Sequence, residues 1–355
     1  MQWTTARRRT AVLTTALSLT AALAACGGGG GSGGSTAPGG KFALGVSNMT
    51  VGNGWREEMI CAIKAEALAS GAVSKVVVSS QNGAVAEQKA NIRTLISQGV
   101  NAIIVNPTSP DQLNDVLDQA AARGIKVVSV DQAVTTDKAL IASNNQQEYG
   151  RLGAAWLVEQ LHGPSTVVEL RGAQGDPADI ARHAGFTSVM SQHPEIKVIE
   201  RYTSWNFSVA NQIMLDLLNS SQRIDGVWTS GQDYTVVNAF RTLNKPLVPI
   251  VGADTNEFIK QMMDLKGAGL NAAAVTNPAT IGGVGANIAI SALKGQNPER
   301  VTQLKPEVYT TRMSNDELDK HHLPDQPPTY STQLEVPPYT HYTAEQLRAC
   351  KGPGE

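Results

Sequence analysis

Side chains able to do chemistry recur at one kind of place in this 355-residue sequence, immediately behind a short β-branched run. Ser47 and Asn48 follow the run at 42–46, Asn106 the run at 102–105, and Asp131 with Gln132 the run at 126–130. Further on, Trp205 stands just past 197–202, Gln232 and Asp233 past 226–229, Asp254 past 247–251 and Asn277 past 272–275. The set is rich in carboxylates, amides and indole, and poor in Lys and Cys. A hydroxyl group donates and accepts at once, so Asp, Asn and Gln suit a polyhydroxylated ligand such as a sugar, and Arg can donate to it. The apolar C–H face of a pyranose can lie on an indole, for which Trp55 and Trp205, one from each half of the chain, are suited. Each Asp alone could equally be a turn former or helix cap; Asp131 and Asp254 together point to a ligand. Trp156 and Trp228 sit inside apolar runs and are expected in the core. Arg182 shares a helical stripe with Phe186 and Val189, where a charge is costly unless something accepts its hydrogen bonds. Taken alone, a snorkelling side chain explains it slightly better.

Catalysis finds little support. The sequence has no His-Glu-x-x-His, Cys-x-x-Cys, Gly-x-Ser-x-Gly or Walker pattern, so no catalytic residue, cofactor or metal site is expected. His162, His183, His193, His321, His322 and His341 do not pair with acids at metal-ligand spacing and read as surface residues. The formal net charge is −2 with no long basic block, which leaves phosphates no footprint, and no nucleic-acid partner is expected.

The elements that must position the set are legible as alternation. Between the four early runs (42–46, 75–78, 102–105, 126–130) lie helical stretches at 55–70, 85–98 and 112–123, the last opened by Ser109 as N-cap with Pro110 behind it. The pattern restarts after 140–145, with strands at 166–170, 197–202, 226–229, 247–251 and 272–275 and helices at 146–161, 177–192, 208–218, 234–243, 256–265 and 279–293. Continuous apolar strands joined by helices give parallel sheets covered on both faces, and right-handed crossovers make them doubly wound. The expected fold is α/β, with two doubly wound parallel-sheet lobes joined by a multi-strand hinge. Lobe 1 is assigned 41–143 and 276–304, and lobe 2 is assigned 144–275 and 305–311. Ligands of such sheets bind at the carboxyl ends of the strands, where the polar set stands.

The two ends of the chain read differently. Arg7-Arg8-Arg9, the apolar stretch 11–22 and Leu23-Ala24-Ala25-Cys26 match a secretory signal ending in a bacterial lipobox. Residues 1–25 are therefore expected to be removed and Cys26 to carry lipid, attaching the protein to the membrane by that anchor alone. Residues 26–40 are almost all Gly with Ser, Thr, Ala and Pro, a flexible tether. Cys61 and Cys350 remain as an even pair in an export compartment, either bonded to each other or two separate buried thiols. Eight of the seventeen prolines lie from Pro298 onward, which argues against regular core structure after Gly295. Residues 312–355 read as an extended Pro-rich strap that only packs, ending in a short helix opened by a capping box at Thr343-Ala344-Glu345-Gln346.

Several stretches resemble the ribose-binding-like branch of the type I periplasmic sugar-binding proteins. They are the opening run into Ser47, Gly54-Trp55-Arg56, Val105-Asn106-Pro107-Thr108, Val130-Asp131-Gln132, Ile141-Ala142-Ser143-Asn144-Asn145, Glu169-Leu170-Arg171-Gly172, Arg182-His183-Ala184-Gly185-Phe186 and Val251-Gly252-Ala253-Asp254. The resemblance spans about 41–311 and implies that Arg182 is a sugar ligand, Trp205 a stacking aromatic and Asp254 a late ligand carboxylate. Gln132 stands where the family often has Arg, Gln232 where it has Asn, and Thr276 or Asn277 where it has Gln, which puts ribose itself in doubt. The implied protein is not an enzyme. It is a monomeric, extracytoplasmic lipoprotein that captures a pentose or hexose and delivers it to an ABC permease and its ATPase. The alternatives are a ligand-sensing module for a membrane receptor, a binder of a polyol or furanose signal, and an extracytoplasmic enzyme on the same scaffold.

Overall fold

The computed structural model describes residues 40–48 and 50–355, so the leader, Cys26 and nearly all of the tether lie outside the described residues. The four early apolar runs form β1 (Phe42–Asn48), β2 (Val73–Ser80), β3 (Ala102–Val105) and β4 (Lys126–Asp131), and the stretch read as the first crossing begins with a further strand, β5 (Ala139–Asn144). Between them stand α1 (Gly54–Ala69), α2 (Val85–Ser97) and α3 (Asn114–Ala122). The chain then builds α4 (Gln146–Gln160), β6 (Ser165–Arg171), α5 (Pro177–Met190), β7 (Ile196–Tyr202), α6 (Phe207–Asn219), β8 (Gly226–Thr229), α7 (Asp233–Thr242), β9 (Ile250–Ala253), α8 (Asn256–Leu265) and β10 (Ala272–Val275). It closes with α9 (Ile281–Leu293), β11 (Val301–Leu304), β12 (Val308–Thr310), α10 (Asn315–Asp319) and α11 (Ala344–Ala349).

Two six-stranded sheets result, in the orders β11-β5-β4-β3-β1-β2 and β12-β10-β9-β8-β6-β7. All paired strands run parallel except β12, which lies antiparallel to β10. Central strands such as β3 and β8 are buried at every position because helices cover both faces. In lobe 1, Leu44, Ile104 and Val128 pack with Met59, Ile63 and Ile281 on one face, while Ile103, Val105 and Val127 pack with Ile92, Leu95 and Leu117 on the other. Lobe 2 repeats the plan, with Val168, Val227 and Ile250 against Met214, Phe240 and Phe258, and Val167, Trp228 and Val251 against Leu157 and Phe186. Trp156 and Trp228 are both buried.

The chain passes between the sheets at β5–α4, β10–α9 and β11–β12. Three details differ from the sequence reading. Ser109 does not cap α3: its hydroxyl accepts the Gln112 amide and donates to Asp111, which closes a turn and delays the helix to Asn114. The stretch after Gly295 does contain regular structure, since β11 and β12 add the edge strands of the two sheets. The C-terminal strap also does more than cover surface. It leaves lobe 2 through α10, whose Leu318 is in that lobe's core, and ends on α1 of lobe 1 with Tyr342 and Leu347 against Ala62 and Ala65. There Cys61 and Cys350 form a disulfide, 289 residues apart in sequence. Thr343 and Gln346 make the capping box of α11.

Candidate functional site

The carboxyl ends of the two sheets face one another across a cleft. It is lined by Asn53, Trp55, Arg56, Asp131 and Gln132 from lobe 1 and by Arg182, Trp205, Ser230 and Gln232 from lobe 2. Asn277 of the second crossing and Thr329 of the strap complete the wall. The cleft is closed down to about 60 Å³ of free space.

Two lining residues sit in the left-handed region, where a non-glycine side chain costs energy that its surroundings must offset: Asp131 with φ 65° and Trp205 with φ 58°. Asp131 ends β4, and its turn is held by its own carboxylate. Oδ1 accepts from Gln146 Nε2 at 2.6 Å and from Asn144 Nδ2 at 3.2 Å, both at the first crossing. Burial raises the Asp131 pKa, and Arg182 and Arg56 oppose that rise. Gln146 is the junction of the site. Its amide nitrogen also reaches Asn277 Oδ1 at 3.2 Å, and its Oε1 accepts from Arg182 Nε at 2.7 Å.

Arg182 does not snorkel. Its side chain is buried, donates Nη1 to the Ser230 carbonyl at 2.7 Å, and lies 4.0 Å from the Tyr149 ring centre and 5.4 Å from that of Trp205. Trp205 backs onto Gly172 so closely that a Cβ there would stand 2.1 Å from the indole. On the other side, Trp55 donates its Nε1 to the Asn277 carbonyl at 2.6 Å. Gln232 accepts from the Thr203 hydroxyl at 3.2 Å. Two polar atoms of cleft residues, Ser230 Oγ and Trp205 Nε1, are buried with no hydrogen-bond partner among the described residues.

Ser47, Asn48 and Asn106 lie behind this wall rather than in it. Asn48 Oδ1 and Asn106 Oδ1 both accept from Arg56 Nη1, and Ser47 Oγ accepts from Gln88. Asn48 and Asn106 thus aim Arg56, whose place in the first turn of the helix after β1 is the signal that sequence reasoning passed over. Asp176, the N-cap of α5, is a second omission: its Oδ2 lies 3.6 Å from Arg56 Nη2 and accepts from Gln132 Nε2 at 3.3 Å. Asp254 departs most from expectation. Oδ1 takes the Asn277 amide at 2.8 Å, Oδ2 takes the hydroxyls of Ser331 and Thr332, and the residue is not part of the cleft lining. Asp233, beside Gln232, is also inward and structural, accepting from Tyr234 N, Ala253 N and the Thr255 hydroxyl. The histidines are not all unpaired. His183 Nδ1 sits 2.9 Å from Glu169 Oε1, and Glu200 is close by but already bonded to Arg171.

A family model described as "Periplasmic binding protein domain" matches residues 44–297. The chain belongs to the type I periplasmic binding proteins. It is similar to the ribose import binding protein RbsB of Bacillus subtilis (strain 168), with 25% identity over 264 residues that cover 73% of this chain and 84% of the relative. It is also similar to the galactofuranose-binding protein YtfQ of Escherichia coli (strain K12), with 28% identity over 304 residues, 81% of this chain and 93% of that one. Among solved structures, an ABC transporter solute binding protein from Thermobispora bispora DSM 43833 superposes with a TM-score of 0.75 at 24% identity, covering 87% of this chain and 94% of that one.

In this periplasmic binding protein the lobes already touch across the cleft. Besides Arg56 and Gln132 on Asp176, Gln132 Oε1 accepts the Ala178 amide at 3.3 Å and Asn53 Nδ2 donates to the Trp205 carbonyl at 3.2 Å. Charges inside are balanced in pairs, Arg56 with Asp176 and Arg182 with Asp131 through Gln146.

Proposed function

We propose that this chain is an extracytoplasmic binding protein that captures a neutral monosaccharide between its lobes and delivers it to an ABC importer. The observation that carries the reading is the cleft itself. Buried Asp131 and Arg182 are tied together by Gln146, the rings of Trp55, Trp205 and Phe207 line the same cleft, and Ser230 Oγ and Trp205 Nε1 are left unpaired. Hydroxyl groups satisfy such a mixed set, and unpaired buried polar groups discriminate strongly against ligands that cannot. The relatives named for ribose and galactofuranose support a sugar of small size. Lipid attachment at Cys26 and the 26–40 tether would keep the binder near its permease. No helix among the described residues is long and apolar enough to cross a membrane.

A thermal-shift screen of pentoses, hexoses, inositols and amino acids, followed by calorimetry, tests the reading. A neutral monosaccharide should raise the melting temperature by several degrees at saturating concentration, because a ligand that binds only the folded state stabilises it. Stabilisation by an amino acid and by no sugar would overturn it.

A further inference from the structure

The strap crosses from lobe 2 to lobe 1 and is fastened on both. On lobe 2, Asn256 Nδ2 donates to the carbonyls of Leu323 and Gln326 at 2.7 and 3.0 Å, and its backbone amide donates to the Tyr330 carbonyl at 2.8 Å. On lobe 1, Thr280 Oγ1 donates to the Gln333 carbonyl at 3.0 Å, Glu66 accepts the His341 amide at 2.7 Å, and the Cys61–Cys350 disulfide ends the path. Ser331 is held by both lobes at once, its amide on Glu58 Oε2 at 2.8 Å and its hydroxyl on Asp254 Oδ2 at 3.1 Å.

Between these fastenings Thr329 faces the cleft, in the same wall as Trp55 and Arg56. It fits there because residue 54 is glycine: a Cβ at Gly54 would stand 1.8 Å from Thr329 Oγ1. The Thr329 hydroxyl has no hydrogen-bond partner among the described residues, so a neighbour in the cleft can use it. Two residues on, Ser331 and Thr332 present hydroxyls to a buried carboxylate, which is the service a sugar would perform.

We propose that the strap is a specificity element of the ligand site. Thr329 supplies wall and a hydroxyl that set ligand size, and Ser331 with Thr332 occupies Asp254, withdrawing that carboxylate from the ligand. The proposal rests on the reading of the cleft as a monosaccharide site. A fixed wall rejects ligands that overlap it, and one added methylene in such a pocket changes affinity by about tenfold or more.

The test uses the full chain and calorimetry with the best sugar of the screen and its larger and smaller relatives. Thr329→Leu should weaken the best sugar by about tenfold or more, and Thr329→Gly should shift the ranking toward larger sugars. Asp254→Ala should lower the melting temperature, because the Ser331 and Thr332 hydroxyls lose their partner, while leaving affinity within about threefold. Wild-type protein that binds no sugar would remove the parent reading and this one with it. Wild-type binding, with both Thr329 variants keeping affinity and ranking, would overturn the strap proposal alone. If Thr329→Leu does not fold, Thr329→Gly, which adds room and removes the hydroxyl without adding bulk, decides.

Discussion

Gln146 carries the polar traffic of the whole site on one amide. Its nitrogen serves Asp131 and Asn277, and its oxygen serves Arg182, so one residue joins lobe 1, the hinge and lobe 2. In Gln146→Ala, Arg182 keeps the Ser230 carbonyl and Asp131 keeps Asn144, but each loses its shorter or equally short partner in a buried place. A stability loss of about 1–3 kcal/mol is expected from those orphaned groups. A fall in sugar affinity of at least about tenfold should accompany it, since Arg182 and Asp131 would no longer be held in register. Thermal unfolding and calorimetry on one preparation separate the two effects; a lower melting temperature with unchanged affinity would reduce Gln146 to a structural brace. The cleft positions of Asp131 and Gln132 were legible in the sequence because both stand at the carboxyl end of the apolar run of β4. Asp254 was read as a ligand because nothing near it in sequence announces Ser331 and Thr332, which reach it from the far end of the chain. Asp176 has the form of an ordinary helix cap, and nothing near Arg56 in sequence announces Asn106 and Asp176 as its partners.

The helices α4 and α5 bring Gln146, Tyr149 and Arg182 together by crossing almost in backbone contact. A Cβ at Gly150 would stand 2.0 Å from the Arg182 carbonyl oxygen, and one at Gly185 would stand 1.9 Å from that of Gln147. Only backbone occupies these points, so no side chain can swing aside. Gly185→Ala should therefore cost at least the upper end of the usual overpacking penalty, about 3 kcal/mol, and push Arg182 off Gln146. Gly267→Ala, where a Cβ meets nothing within 4 Å, is the matched control and should unfold like wild type. Denaturant titration compares the two; equal midpoints would show that the crossing relaxes easily. At this scale most parallel strands were readable because burial on both faces demands apolar residues at nearly every position, whereas β5, which ends in Ser143 and Asn144, reads as a crossing. The edges were not readable. β11 is exposed at Val301 and Gln303, and β12 is only three residues long, so neither shows a continuous apolar run.

At the scale of the molecule, three crossings and a strap fastened on both lobes join the two halves, and any opening of the lobes must break the contacts that the structure shows across the cleft. Asp176 lets acid act on that equilibrium. Its carboxyl belongs to lobe 2, but the groups that cover it, Arg56 and Gln132, belong to lobe 1, so opening returns it to water. In the closed form burial pushes its pKa up to about 6; Arg56 pulls down, nearby Asp131 pushes up, and burial wins. In the open form the carboxyl should titrate near the ordinary aspartate value of about 4. The form with the higher pKa binds the proton more tightly, so the closed form gains as pH falls from 6 toward 4, and that gain is gone once pH has risen back through 6. Small-angle scattering of the unliganded protein should therefore give a smaller radius of gyration at pH 5 than at pH 7.5. Asp176→Asn, neutral at both values and of the same shape, should be as compact at pH 7.5 as wild type is at pH 5. A wild-type radius that does not change, or a variant that keeps the full pH dependence, would place the control of closure elsewhere. Saturating sugar should erase the difference in wild type, because ligand contacts to both lobes would outweigh one buried charge.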